Sequence, residues 1–262
     1  MRMGNQSTKH YGYLSKDDDN GTFHISKGRL ISGYTVGILH LDVWYPLLPG
    51  NVVNAYTYDF PVRMKEIPNA LQPRVHGGDP TLVDDIIKAG RELEKEGVRA
   101  ICGACGYLGN FQSQVAEVLD VPVFLSSLVQ VPMIFTGLKK GQKVGVLCAD
   151  GPSLTPAILK NCGVNPSHCV IKGLGDQPQM SAILNSDRGS FDNGALKKEL
   201  ADGARTLVDK HPEVGAILLE CSDMPPYAAE VQKAVNLPVF DFITLIKWVH
   251  NATAQKPYQG FI

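Results

Sequence analysis

The chain has 262 residues, a formal net charge of −1, 44% hydrophobic and 19% charged residues, a globular composition with material for one large or two ordinary α/β domains. No Arg-rich tract or basic stripe points to nucleic acid, no apolar run reaches a membrane span, and the first residues lack the apolar stretch of a signal peptide. The expected location is therefore cytoplasmic and reducing, where six cysteines serve as buried thiols, metal ligands or catalytic groups more readily than as disulfides.

Residues 1–32 read as a polar extension, with a short hairpin expected at Asn20-Gly21. The apolar run 34–42 is the pattern of a buried parallel strand. A Pro- and Gly-rich loop from Trp44 to Asn51 follows, and a second strand is expected over 60–64. Leu82, Ile86, Ala89 and Leu93 recur at helical spacing, which predicts a helix over 81–95 capped by Thr81 or Asp79. Residues 98–124 then read as strand, cysteine-bearing loop, helix and strand.

That last stretch occurs twice. Residues 214–240 repeat it without a gap: Cys221 minus Cys105, Pro238 minus Pro122 and Phe240 minus Phe124 all give 116. The strand at 144–150 repeats the first one, since Gly145 minus Gly37 and Asp150 minus Asp42 both give 108. A helix over 195–210, with Ala204, Leu207 and Val208 on its apolar side, matches the one over 81–95. The expected architecture is thus α/β: two similar domains with mainly parallel sheets, related by internal duplication, with the active site in the cleft between them. The halves are assigned as 33–135 plus 238–262, and 136–237, with the break in the turn-rich connector 133–142 and a last helix around 243–251.

Each half carries one cysteine, Cys105 or Cys221, at the carboxyl end of a strand, where ligands bind in open α/β sheets. A helix start after each cysteine would lower the thiol pKa and offer N–H groups to a substrate carboxylate. Gly106, Tyr107, Ser222 and Asp223 are the expected substrate contacts, joined by Ser126 and Ser127 after the next strand. An unpaired cysteine is ordinarily a small buried hydrophobe, and that reading holds for Cys148, Cys162 and Cys169. The pair Cys102-Cys105 has redox spacing, but Cys102 aligns with Leu218 inside a strand, so a core role is expected. No second ligand pair accompanies it, so no metal is expected. His40, His76, His168, His211 and His250 show no ligand spacing, and solvated or core histidines are expected. No phosphate-cradling or dinucleotide-binding Gly motif is present.

The segments Ala104-Cys105-Gly106-Tyr107-Leu108 with Phe111-Gln112, Ser126-Ser127-Leu128, Glu220-Cys221-Ser222-Asp223-Met224-Pro225-Pro226-Tyr227 and Pro49-Gly50-Asn51 resemble the aspartate/glutamate/hydantoin racemase superfamily. The resemblance runs from about Gly33 to the C-terminus. It implies an enzyme without pyridoxal phosphate, metal or other cofactor, acting on a small carboxylic acid. One cysteine thiolate takes the α-proton and the other thiol returns a proton from the opposite face. Racemisation or epimerisation is the first expectation. Cys105-Gly106-Tyr107 departs from the Cys-Asn-Thr of amino-acid racemases, so the polar groups that hold an amino acid are not carried over. The two sites are also similar to those of the dimethylsulfoniopropionate lyases, where the same chemistry ends in β-elimination; isomerase or decarboxylase chemistry and a non-catalytic small-acid binder are the further alternatives. Homo-oligomerisation is left open.

Overall fold

The strands follow the apolar runs. The chain is described here by a computed structural model covering residues 13–14, 31–184 and 189–262. The hairpin expected at Asn20-Gly21 lies outside the described residues. In the first half, β1 (Val36–His40), β2 (Val62–Glu66), β3 (Ala100–Gly103) and β4 (Val123–Phe124) form a parallel sheet in the order β2-β1-β3-β4. In the second, β5 (Lys143–Cys148), β6 (Cys169–Gly173), β7 (Val214–Leu219) and β8 (Val239–Phe240) repeat that order as β6-β5-β7-β8. The central strands are buried along almost their whole length, which explains their continuous apolar runs.

Helices fill the crossovers. Short α1 (Gln72–His76) precedes α2 (Val83–Glu96), which is entered through a 3₁₀ turn whose cap, Asp79, accepts the Thr81 N–H. Ile86, Ala89 and Leu93 form the buried face of α2. Gly97 ends it at φ 93°, a left-handed value, and gives its N–H to the Leu93 and Glu94 carbonyls. α3 (Gln112–Val118) links β3 to β4. The second half has α5 (Pro156–Asn161), α6 (Pro178–Leu184), α7 (Asn193–Lys210) and α8 (Ala228–Val235). Asp192 caps α7 by accepting the Ala195 N–H.

Two helices cross between the halves. α4 (Val131–Thr136) follows β4 but packs against β5 of the second sheet. α9 (Phe242–Thr253) follows β8 and packs on β1 and β3 of the first. Its Phe242, Leu245, Ile246 and Val249 form one core with Val36, Ile38, Ala100 and Cys102. The tail therefore divides differently from the assignment of 238–262 to the first half: β8 completes the second sheet, and the return starts at α9. Cys102 pairs with Ile38 inside β3 and is fully buried, the core position expected of it.

Phe242 is fully buried at the start of α9, whereas Trp248 is half exposed, with its ring edge-on to Phe124. Phe242→Ala should cost about 3–5 kcal/mol and Trp248→Ala about 1 kcal/mol or less. Urea denaturation of the two variants checks this, and equal losses would refute the role given to α9.

Candidate active site

In each sheet the chain leaves the first strand in one direction and returns on its other side for the third, so a crevice opens at the carboxyl ends of these two strands. The two crevices share one cavity of about 40 Å³, room for a few water molecules. His40, Leu41 and Val43 reach it from the end of β1, and Ala104, Cys105, Gly106 and Tyr107 from the end of β3. Ala149 comes from the end of β5, and Cys221, Ser222 and Asp223 from the end of β7. Both repeated cysteines thus open on one cleft.

Their surroundings differ. Cys105 precedes a 3₁₀ turn (Gly106–Phe111), and the backbone N–H groups of Tyr107 and Leu108 favour its thiolate. Burial nevertheless pushes the thiol well up, and negative charge at Glu220 pushes the same way. Cys221 lies four residues before its 3₁₀ turn (Pro225–Tyr227), and α8 starts only after that. Its thiol donates to Asp223 Oδ2 at 3.4 Å. Burial raises Cys221 well above the usual thiol range, with Asp223 and Glu220 adding to the rise. The lowering expected from helix starts is therefore reversed in both places, because desolvation outweighs a few N–H groups.

Asp223 is the polar centre of the second site. Its carboxylate accepts from Tyr45 Oη at 2.8 Å and from Asn51 Nδ2 at 2.5 Å, besides the Cys221 thiol. Burial raises its pKa, and these three donors oppose the rise. Tyr45 and Asn51 come from the loop after β1. Gly50 in that loop has φ +100°, and an added Cβ would meet the Pro226 Cα at 2.8 Å, so the loop rests directly on the Pro225-Pro226 segment. His76 also reaches the cleft: its ring lies tilted by 34° against that of Tyr107 with centroids 3.8 Å apart, and its Nδ1 lies 3.2 Å from Asp150 Oδ2. Burial lowers its pKa against the pull of Asp150.

The structure brings Cys105, Gly106, Tyr107, Cys221, Ser222 and Asp223 together, and leaves Ser126 and Ser127 out of the wall. Both serines are fully buried: Ser126 caps the next turn by accepting the Leu128 N–H, and Ser127 Oγ donates to the Leu219 and Glu220 carbonyls. Tyr45, Asn51 and His76 are not among the expected substrate contacts; Asn51 enters only through the Pro49-Gly50-Asn51 resemblance, and His76, expected as a solvated or core histidine, lies in the cleft wall. The Pro-Gly loop after β1 was the signal for the first two; nothing in its spacing marked His76. Among the described residues, no group of three or more His, Cys, Asp or Glu is placed to hold a metal ion, and no helix is long and apolar enough to cross a membrane.

A Cβ on Gly106 would lie 1.7 Å from Glu220 Oε1, an impossible contact. Gly106→Ala should therefore destabilise the protein, and the penalty should shrink by about 1 kcal/mol or more when Glu220→Ala clears the space. A double-mutant cycle in urea measures this, and strict additivity would show that the two residues do not touch.

No family model matches the chain. It is 34% identical over 223 residues to "Dimethylsulfoniopropionate lyase 3" of Emiliania huxleyi, a match covering 80% of this chain and 57% of the lyase. A dimethylsulfoniopropionate lyase of Durusdinium sp. clade D is 28% identical over 86% of this chain and 77% of its own length. The chain thus spans little more than half of the first of these relatives. Among solved structures, allantoin racemase from Pseudomonas fluorescens superposes with TM-score 0.58 at 14% identity, covering 86% of this chain and 99% of that one. Glutamate racemase from Bacillus anthracis gives 0.55 at 11% identity, covering 85% of each. Unliganded arylmalonate decarboxylase gives 0.52 at 15% identity, covering 86% of this chain and 95% of its own. The chain has the fold of the aspartate/glutamate/hydantoin racemase superfamily and is related in sequence to the dimethylsulfoniopropionate lyases.

Proposed function

We propose that this chain is a cofactor-independent lyase that takes the α-proton of a small carboxylate with Cys105 and expels a β-sulfonium group, as the names of its sequence relatives suggest. The observation that carries the reading is the unlike environment of the two thiols. Cys105 faces backbone N–H groups, which suit a base in its anionic form. Cys221 meets one backbone N–H, that of Asp223, but it also donates to the Asp223 carboxylate, which suits a thiol that keeps its proton. β-Elimination needs one base, whereas racemisation needs two thiols that exchange roles.

The charge of the cleft supports the same outcome. Among the described residues lining it none is Lys or Arg, and Asp223 is a carboxylate. That wall repels a second acidic group on the substrate and attracts an onium group, with the Tyr45 ring beside it for cation–π contact. The substrate carboxylate is assigned to the backbone at Gly106 and Ser222. In the step itself, the Cys105 thiolate binds the α-hydrogen as a proton, and the C–H electron pair becomes the Cα=Cβ bond. The Cβ–S bond breaks and its pair leaves on sulfur as a neutral dialkyl sulfide. From dimethylsulfoniopropionate the products are dimethyl sulfide, acrylate and one proton.

Racemisation or epimerisation is the second reading, favoured by the equivalent positions of the two cysteines in the duplicated halves. Serine variants separate the two. As a lyase, Cys105→Ser should lose about 10²–10⁴-fold in turnover and Cys221→Ser distinctly less, with acrylate and dimethyl sulfide released by the native chain. Equal collapse of both variants on a panel of small amino and hydroxy acids, with α-deuteration in D₂O and no unsaturated product, would establish the racemase instead.

A further inference from the structure

Glu220 has no part in the chemistry above, yet it touches the segments that carry both thiols. It follows β7 and directly precedes Cys221. Its side chain is fully buried, and neither carboxyl oxygen has a hydrogen-bond partner. Oε1 lies against the Cα of Gly106, the residue after Cys105, so closely that a Cβ there would come within 1.7 Å. The carboxyl therefore sits behind the backbone that joins Cys105 to its 3₁₀ turn.

The groups around it are acidic or neutral. Cys105 and Tyr107 face it from the first half. Cys148 and Asp150 face it from the end of β5, and Cys162 from the residue that follows α5. Cys221 and Asp223 continue its own segment. Of the two histidines in the cleft wall, His40 and His76, the second pairs with Asp150 and the first with the Leu41 carbonyl. The Ala149 backbone and the Tyr107 hydroxyl favour the ionised form but close no hydrogen bond on it. A carboxylate in this place would be a buried charge with no closed hydrogen bond and, among the described residues, no Lys or Arg paired with it, which is costly. The group answers by keeping its proton, and burial pushes its pKa up to about 8.

We propose that Glu220 is a positioning residue for the thiol chemistry: a buried carboxylic acid that holds its proton behind Gly106 and, on losing it, suppresses thiolate formation at Cys105. The physical reason is like-charge repulsion in a dry interior, where a carboxylate and a thiolate this close do not ionise independently. The inference rests on Cys105 being the base, and not on which substrate it serves.

The test follows alkylation of Cys105 by iodoacetamide, read from its own peptide by mass spectrometry, between about pH 6 and about pH 10. The chain is compared with Glu220→Gln, which keeps the shape and cannot ionise. Below about pH 7 the two should react alike. Above about pH 8, where Glu220 loses its proton, the Gln variant should react faster, by up to about tenfold. Curves that coincide throughout, or a slower Gln variant, would overturn the proposal, and a constant offset at every pH would mean a purely structural role and overturn it too. The melting temperatures carry a second readout. The pKa of Glu220 is raised on folding, so its contribution to stability is present below about pH 4 and lost as pH rises towards about 8; the native chain should fall progressively behind the Gln variant over that window. If the Gln variant does not fold, a two-step alkylation profile of the native chain supports coupling and a single step sinks it. Alkylation needs no substrate, so a wrong lyase reading and a wrong role for Glu220 fail separately.

Discussion

The Glu220 carboxyl packs against the bare Cα of Gly106, where the two halves meet with no room for a side chain. Gly106 belongs to the end of the first sheet and Glu220 to the end of the second, and any side chain at the first would collide with the Glu220 side chain. Other contacts across the same divide depend on that closeness. Tyr107 exchanges hydrogen bonds with the Asp150 backbone, Ser127 reaches the Leu219 and Glu220 carbonyls, and Gln130 donates to the Asp241 carbonyl. Tyr45 and Asn51 close on Asp223 at the mouth. The crossing helices α4 and α9 then carry apolar surface from each half onto the other sheet. The two sheets are therefore held as one framework, and the cysteines face one cleft because the framework leaves them no other place.

Much of this could be read from the residues. A constant offset between two stretches identifies equivalent positions, and equivalent positions in a duplicated α/β fold fall at equivalent strand ends. That is why the shared position of Cys105 and Cys221 at one cleft is legible in the sequence, and why the expected strands and long helices lie within a few residues of their observed ends. Side-chain direction after a strand was harder. Ser126 and Ser127 follow β4 at the height of the cleft, but both turn inward to satisfy buried backbone groups. Periodicity says nothing of such a choice. Contacts such as Tyr45 to Asp223 span 178 positions and leave no local trace.

The thiol electrostatics show a different limit. A cysteine before a helical turn suggests a stabilised thiolate, because the backbone donors are visible in the sequence pattern. The opposing term is burial, together with carboxylates that arrive from the other half, and no pattern displays it. Here the second term is the larger for both cysteines. The two copies also differ in what surrounds the matching geometry of the strands: two backbone donors at Cys105, and at Cys221 one backbone donor with an acceptor carboxylate beside it. Duplication supplied two matched positions, and their neighbours made them unlike.

An apo cleft that holds both thiols neutral still has to produce a base. Its acidic surroundings oppose thiolate formation by the same charge that attracts an onium group. Under the proposed function, a sulfonium entering beside Asp223 brings the positive charge the wall lacks, and it offsets that carboxylate in a cavity too small for much screening water. Cys105 then loses its proton more readily with substrate bound than without it. The substrate charge that draws the molecule into the cleft also activates the thiol and, after the Cβ–S bond breaks, disappears with the neutral sulfide. The thiol that has taken the α-proton is left again buried beside Asp223, which disfavours its ionised form, so the resting state restores itself once the anionic product leaves a site whose described lining holds no Lys or Arg.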